Sequence, residues 1–303
     1  MKPAFPLSAE CAIPSLSSLP ISPMYLRSSL HCGKFKLDLS RPLVMGIVNV
    51  TPDSFSDGGQ HLQCAAALVH AHQLIADGAD IVDIGGESSR PGAQPVSIQE
   101  ELDRVLPIIE GLHDMPVPIS IDTCKPEVME AAIAAGAQMV NDINALQDPA
   151  AMSVVAASPV AVCLMHKRGN PQTMQAQPHY QDVVAEVSEF LRERIAAAEM
   201  AGIERKRIVI DPGFGFGKTL EHNLVLLREL SKLGELGMPV LAGLSRKSML
   251  GALTGQDVGD RLAASVAAAL IAVQRGAGIV RVHDVRATVD ALKVLNAVKG
   301  ESV

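Results

Sequence analysis

Several features are scarce in this sequence, and each scarcity excludes a class of protein. No apolar run reaches the roughly 18 residues that a membrane-spanning helix needs. The 26 basic residues are outnumbered by 33 acidic ones, which disfavours a broadly basic nucleic-acid surface. The five cysteines form no C-x-x-C pair, so neither a disulfide framework nor a structural zinc site is indicated. The chain is therefore expected to be cytoplasmic, with no membrane and no nucleic acid among its partners.

The first 34 residues differ in composition from the rest. Five prolines among many serines interrupt any helical or strand period there. Residues 1–34 are predicted to form an irregular extension, expected to be disordered, and 35–303 a single globular domain. A targeting peptide is the alternative reading of the extension, but the prolines suit an amphipathic targeting helix poorly.

From residue 35 onward, short β-branched runs alternate with longer segments of helical period. The predicted strands are 43–48, 80–84, 117–121, 138–141, 160–165, 207–210, 240–244 and 278–282. Eight strand–helix units favour an α/β fold of the (β/α)8 TIM-barrel class in a single domain. A doubly wound sheet with one misassigned strand is the alternative.

Polar residues follow the apolar run at the carboxyl end of every predicted strand, which is where barrel active sites lie. In strand order they begin with Asn49, Glu87, Asp122, Asn141, His166, Asp211, Ser245 and Arg281. Helix capping explains one or two of them but not eight at once. The carboxyl end of the barrel is therefore the predicted site.

The cations among these residues gather on the last two strands. Arg281 and His283 project from the same side of strand eight, and residues 245–247 (SRK) lie beside them on strand seven. Phosphate sites on barrels are often built from the loops after these strands, so an anion such as phosphate or pyrophosphate is predicted here. The alternative is that Arg281 pairs with a neighbouring carboxylate such as Asp284.

The acidic and amide side chains come from other strands. Asp122, Asn141 and Asp211 follow strands three, four and six and are expected to converge inside the mouth. Such groups suit a ligand rich in N–H, for example a heterocycle with an aminopyrimidine edge. The alternating glycines of 213–217 fit either close approach to a flat ligand or a plain tight turn. Pro212 stands where a Walker loop needs glycine, which excludes that motif.

Six runs of residues together resemble the dihydropteroate synthases of bacterial folate synthesis. They are 45–59 (MGIVNVTPDSFSDGG), 83–92 (DIGGESSRPG), 121–126 (IDTCKP), 211–218 (DPGFGFGK), 245–248 (SRKS) and 281–285 (RVHDV). The resemblance extends from about residue 35 to 298, with the motifs in order. It implies a transferase that joins 6-hydroxymethyl-7,8-dihydropterin pyrophosphate to p-aminobenzoate, releasing pyrophosphate and forming dihydropteroate.

The resemblance also implies roles for individual residues. The pterin would be held by Asp122, Asn141, Asp211 and Lys247. The pyrophosphate would be held by Asn49, Arg281 and His283, with Asn49 also reaching Mg²⁺. The p-aminobenzoate pocket would be bordered by Ser89, Arg90, Pro91, Phe216, Ser245 and Lys247 and closed by a loop carrying Phe55 and Asp57. Catalysis would rest on Asn49, Lys247, Arg281 and His283.

Further expectations follow from the same resemblance. The family is typically dimeric, so a homodimer is expected, and the p-aminobenzoate pocket is the expected target of sulfonamides. Ser89 stands where threonine is common, which could loosen that pocket. Two competing functions are a methyltransferase that passes a methyl group from a methyl-folate to a corrinoid protein, and a catalytically silent paralogue. The first does not need a pyrophosphate clamp, and the second should lack one of the residues named for the site.

Overall fold

A computed structural model describes residues 29–50, 60–88, 94–169 and 178–300, with the backbone alone at 60–62. The strands are β1 (Ser29–Cys32), β2 (Phe35–Asp38), β3 (Leu43–Asn49), β4 (Ile81–Gly85), β5 (Ile119–Asp122), β6 (Met139–Asp142), β7 (Ala161–Met165), β8 (Ile208–Asp211), β9 (Leu241–Ala242) and β10 (Ile279–Val282). The helices are α1 (Gln60–Ala76), α2 (Ile98–Gly111), α3 (Pro126–Ala134), α4 (Pro149–Ala156), α5 (Val183–Met200), α6 (Leu220–Arg228), α7 (Leu230–Gly234), α8 (Ser248–Thr254), α9 (Leu262–Gln274) and α10 (Val285–Lys299). Within the described residues, no helix is long and apolar enough to cross a membrane.

Strands β3 to β10 form one parallel sheet of eight strands, in the order β8-β7-β6-β5-β4-β3-β10-β9. A parallel bridge between Ile210 and Val240 joins the two ends of this order, and the Ile210 N–H donates to the Pro239 carbonyl at 3.0 Å. The sheet therefore curls into a barrel with helices outside, which confirms the predicted fold. The doubly wound alternative is wrong, because an open sheet would leave β8 and β9 as separate edges.

The barrel strands lie within one or two residues of their predicted positions, with one shorter than expected. The sequence predicted a strand over 240–244, but β9 covers only Leu241–Ala242. Val240 forms an isolated bridge to Ile210, so the pairing that closes the barrel consists of a single residue pair. The residues after β9 leave the ladder and become part of the mouth.

Two apolar layers follow from the alternation of side chains along these strands. Outward residues such as Val44 and Val82 pack against the helices in the larger cluster. Inward residues such as Met45 and Ile81 form a second, smaller cluster inside the barrel. Packing thus fills the barrel at its amino end, and polar groups are left to the carboxyl end.

The N-terminal boundary was predicted wrongly. Ser29–Cys32 is a strand that pairs antiparallel with Phe35–Asp38 across a turn at Gly33, where φ is +52°. Leu30 and Cys32 are almost fully buried and belong to the inner cluster. The last residues of the predicted extension 1–34 therefore form the first strand and the turn of a hairpin, because two apolar residues at alternate positions cover the amino end of the barrel. Residues 1–28 lie outside the described part of the chain.

Candidate active site

Buried polar side chains gather at the carboxyl ends of the barrel strands. Because the eight strands are parallel, these ends meet at one mouth. The buried polar residues of this region are Asp83, Asn141, Asp142, His166, Asp211, Lys218 and Ser245. Burying so many polar groups is costly unless each finds a partner or a ligand.

Arg281 of β10 crosses the mouth and contacts two carboxylates. Its Nε donates to Asp83 Oδ2 at 2.6 Å, and its Nη2 donates to Asp122 Oδ2 at 2.7 Å. The alternative that Arg281 pairs with a carboxylate is therefore correct in this structure, but the predicted partner is wrong, since Asp284 instead accepts from Arg246 at 2.6 Å. Arg246, whose φ is +57°, therefore pairs with Asp284 at the side of the mouth.

The charges in this group shift one another's titration. Burial raises the pKa of Asp122 to about 7, although the nearby Arg281 cation opposes the shift. Burial alone would lower the pKa of Arg281, but the charges of Asp83 and Asp122 outweigh it and hold that pKa above its usual value. Arg281 thus stays cationic, while burial disfavours the ionised form of Asp122 that the Arg281 cation stabilises.

Asp83 is a site residue that the sequence analysis missed. Its Oδ2 accepts from Asn141 Nδ2 at 3.2 Å as well as from Arg281, and the residue is completely buried. Its other oxygen, Oδ1, has no hydrogen-bond partner among the described residues. The signal was available, because Asp83 is the single charge inside the apolar strand β4 (IVDIG).

Asp211 and Lys247 form the opposite wall of the mouth. Asp211 Oδ1 accepts from the Gly213 N–H at 2.7 Å, and burial raises its pKa. Burial lowers the pKa of Lys247 to about 8, although the Asp211 charge opposes the shift. The Lys247 ammonium donates to the Phe214 carbonyl and lies 4.4 Å from the centre of the Phe216 ring, as a cation–π contact.

His283 and Ser245 lie together at the ends of β10 and β9. The Ser245 hydroxyl is 3.0 Å from His283 Nδ1, and it accepts from the His283 backbone N–H at 3.2 Å. Since the hydroxyl oxygen already accepts, its proton can be donated to Nδ1. This pair fixes the orientation of the imidazole beside Arg281.

Asn49 ends β3 and is half-buried. It lies in register with Gly85 of β4, which in turn lies in register with Asp122. A Cβ added at Gly85 would lie 3.7 Å from Asp122 Oδ2 and 3.8 Å from Asn49 Oδ1. Glycine therefore keeps open the space between the Asn49 amide and the Asp122 carboxylate.

The structure brings most of the predicted site residues together. Asn49, Asp122, Asn141, Asp211, Phe216, Ser245, Lys247, Arg281 and His283 all lie around the same mouth. Phe55, Asp57, Ser89, Arg90 and Pro91 lie outside the described residues, so their places remain predictions.

Buried carboxylates and an amide, facing fixed cations at the carboxyl-terminal mouth of a barrel, define an enzyme site for a polar ring and an anion. A family model described as Pterin binding enzyme matches residues 45–283, which include the carboxyl ends of all eight barrel strands. The ring-binding class inferred from the geometry agrees with this family.

Individual relatives narrow the class. Dihydropteroate synthase of Escherichia coli (strain K12) is 51% identical over 262 residues, covering 86% of this chain and 93% of that protein. The structure of Xanthomonas albilineans dihydropteroate synthase with 4-aminobenzoic acid has a TM-score of 0.86 at 57% identity, covering 91% of this chain and 99% of that one. The structure of the same enzyme in complex with 7,8-dihydropteroate has a TM-score of 0.83 at 55% identity, covering 90% of this chain and 100% of that one. The chain belongs to the dihydropteroate synthase family.

Proposed function

We propose that this chain is a transferase of folate synthesis that joins 6-hydroxymethyl-7,8-dihydropterin pyrophosphate to p-aminobenzoate, giving 7,8-dihydropteroate and pyrophosphate. The relatives with 4-aminobenzoic acid and with 7,8-dihydropteroate support this reaction. The observation that carries it is the mouth itself, where the buried Asn141 and Asp211 and the largely buried Asp122 lie beside the cations Arg281 and Lys247.

The pterin is assigned to the buried acids and amide. Asp122 and Asp211 can each accept N–H bonds from an aminopyrimidine edge, and Asn141 can both donate and accept. Lys247, whose charge interacts with Asp211, offers a donor to a ring oxygen or nitrogen. A ligand with several N–H groups would thus stabilise the ionised carboxylates that burial disfavours.

The pyrophosphate is assigned to Asn49, Arg281 and His283. Arg281 presents a planar fork whose Nη2 is bonded to Asp122, so a pyrophosphate would compete with that carboxylate for the same donor. Its Nε stays on Asp83, which keeps the guanidinium in the mouth during such an exchange. The Ser245 contact orients His283 toward the same region.

The p-aminobenzoate pocket is assigned to Phe216, Ser245 and Lys247, with Ser89, Arg90 and Pro91 completing it. An aromatic ring can pack on Phe216, and its carboxylate needs a donor such as a hydroxyl or a cation. Sulfonamides share the shape of p-aminobenzoate and would compete for this pocket. Phe55 and Asp57 belong to the loop that would close over both substrates.

The reaction follows from where charge develops. The bond between the pterin methylene and the pyrophosphate breaks, leaving a cationic methylene, and the amine of p-aminobenzoate then forms the new C–N bond and loses a proton. Fixed donors lower the barrier by stabilising the departing anion, which is the role of the Arg281 cation and of the His283 ring N–H. Because an arylamine is a weak nucleophile, exclusion of water matters more than base catalysis.

Magnesium is proposed with Asn49 as its protein ligand. In the described residues, no group of three or more His, Cys, Asp or Glu could hold a metal ion. Asn49 offers one amide oxygen, and Mg²⁺ is usually bound by one or two protein oxygens together with substrate phosphates. These residues therefore fit an ion shared with the pyrophosphate, where it would neutralise charge on the leaving group.

A homodimer is proposed through the neighbouring helices α8, α9 and α10. Their exposed apolar residues include Leu253, Leu262, Ile271, Val294 and Val298. Sedimentation of the protein should give a dimer, and an Ile271→Glu variant should shift it toward monomer. A monomeric wild-type protein would contradict the proposal.

A cytoplasmic location is proposed because the described cysteines have free thiols.

The activity is tested by coupled detection of pyrophosphate with the purified protein and both substrates, with and without Mg²⁺. Calorimetric titration of the pterin into Asp211→Asn should show affinity lower by about tenfold or more, since an unpaired buried ligand edge costs about 1–3 kcal/mol. Asp290→Asn, on the exposed face of α10, is the matched control. Unchanged pterin affinity in Asp211→Asn contradicts the assignment.

A further inference from the structure

Lys218 is a buried cation that the reaction described above does not use. It follows the turn 213–217 after β8 and is 2% exposed. Its ammonium donates to the carbonyls of Gly213 at 2.9 Å and Phe216 at 3.1 Å, and it lies 2.9 Å from His166 Nδ1. These partners are all uncharged, which is unusual for a buried lysine.

The protonation states of this pair are consistent with their contact. Burial lowers the pKa of His166 to about 3, and the adjacent Lys218 charge adds to the shift. The imidazole is therefore neutral, and Nδ1 can accept from the ammonium. Burial lowers the pKa of Lys218 to about 7, which means that a protonated Lys218 at this position destabilises the folded state. The edge of the His166 ring packs against Phe190 with centres 5.0 Å apart, which fixes the imidazole.

The turn needs this donor because its backbone is unusual. Gly213 has φ +67°, and a Cβ there would lie 1.9 Å from the His166 carbonyl. The turn therefore packs directly on the end of β7, with its carbonyls directed at one point. Lys218 occupies that point and binds both ends of the turn to β7.

The same turn presents two groups to the mouth. The Phe214 carbonyl accepts from Lys247, and the Phe216 ring lies beside the Lys247 ammonium. Lys218 bonds to the carbonyl of Phe216 itself. The position of the Phe216 ring and of the Lys247 ammonium thus depends on a turn that Lys218 holds from behind.

We propose that Lys218, together with His166, is a positioning residue that sets the p-aminobenzoate pocket by fixing the turn that carries Phe216 and contacts Lys247. The proposal rests on the assignment of Phe216 and Lys247 to p-aminobenzoate. Lys218 is not a catalytic base, because its nitrogen is buried against carbonyls and the ring and faces the turn rather than the substrates.

The test compares Michaelis constants for the two substrates in Lys218→Met, which keeps an unbranched apolar side chain and removes the ammonium. The KM for p-aminobenzoate should rise about tenfold or more, as expected for loss of charge-assisted bonds behind the pocket. The KM for the pterin pyrophosphate should rise by a clearly smaller factor, because Asp122 and Asn141 lie on other strands, while among the residues assigned to the pterin only Asp211 and Lys247 contact the turn. Lys232→Met, a half-exposed lysine on α7, is the matched control and should change neither constant.

A folded Lys218→Met with an unchanged KM for p-aminobenzoate, or with equal rises in both constants, overturns the proposal. If that variant fails to fold, His166→Leu removes one partner of the ammonium and leaves the carbonyls. Its KM for p-aminobenzoate should rise selectively by a smaller factor, and no selective rise overturns the proposal.

Two further measurements separate this proposal from the function beneath it. Phe216→Ala should raise the KM for p-aminobenzoate in an otherwise active enzyme. If it does and Lys218→Met does not, only the positioning role fails. If Phe216→Ala leaves that KM unchanged, the pocket assignment and the positioning role both fail, while the activity stands. Wild-type protein that releases no pyrophosphate overturns all three.

Discussion

Arg281 and Lys218 are both cations buried near the barrel mouth, yet their pKa values shift in opposite directions. Arg281 lies between the carboxylates of Asp83 and Asp122, and their charges raise its pKa against the effect of burial. Lys218 bonds to carbonyls and a neutral imidazole, and burial lowers its pKa to about 7, although the Asp211 charge opposes the shift. Burial acts to lower the pKa in both cases, so the charge of the hydrogen-bond partners decides the direction.

This difference in pKa corresponds to different roles of the residues on two sides of the mouth. On the side of β4, β5 and β10, carboxylates keep a cation charged and able to exchange one partner for an anion. On the side of β7 and β8, carbonyls hold a cation that stabilises the shape of a turn. The first arrangement suits a residue that meets a substrate, and the second suits one that supports such residues.

The largest effect is expected from Arg281→Met. The substitution leaves the carboxylates of Asp83 and Asp122 buried without their cation, which typically costs about 3–5 kcal/mol of unfolding free energy at neutral pH. Denaturant unfolding measures the loss, and calorimetry with pyrophosphate should show binding abolished. Arg286→Met, on the exposed face of α10, is the control. If Arg281→Met lowers the free energy of unfolding no more than Lys218→Met does, the proposed difference between the two cations is wrong.

A smaller effect is expected from Asp83→Asn. Arg281 would keep Asp122 as a charged partner, but the acceptor of its Nε would become a neutral amide. The free energy of unfolding should fall by about 1–3 kcal/mol. Because Asp83 holds the Nε of Arg281, which is assigned to the pyrophosphate, the KM for the pterin pyrophosphate should rise while that for p-aminobenzoate changes little. Equal changes in both constants would show that Asp83 does not act through Arg281.

The smallest effect is a difference in the pH dependence of stability. The pKa of Lys218 is about 7 in the folded protein against an ordinary 10.5, so between these values the unfolded chain binds a proton that the folded chain lacks. Raising the pH through this window therefore stabilises the native state, and the gain is lost as the pH falls toward 7. The free energy of unfolding of the wild type should therefore rise with pH relative to that of Lys218→Met. Parallel stability curves at pH 7–10 would contradict this.

The sequence was a good guide to the barrel because strand periodicity and strand ends are local properties. Asp122, Asn141 and Asp211 end apolar runs, so their convergence followed from the fold class alone. Pairing was harder to predict, since Asp83 and Arg281 are 198 residues apart and come close only because β4 and β10 lie on either side of β3. Arg246 and Asp284 were likewise paired by the loop geometry after β9, which sequence distance does not reveal.

Lys218 and the hairpin were missed for different reasons. The glycine run 213–217 was recognised, but no local signal says that the lysine after it turns inward toward His166. The strand Ser29–Cys32 lies beside a proline- and serine-rich segment, which hid its two buried positions, Leu30 and Cys32. In both cases tertiary packing overrides composition.

The hairpin at the amino end of the barrel also decides which end of the molecule can be attached to something else. Gly33 donates to the Pro159 carbonyl ahead of β7, so the chain enters the domain on the side opposite the substrates. A surface linkage, a fluorophore or a fused domain joined ahead of Ser29 would leave the approach of pterin and p-aminobenzoate clear. The same attachment would pull directly on Leu30 and Cys32, making the base of the barrel the point where mechanical load first reaches the fold.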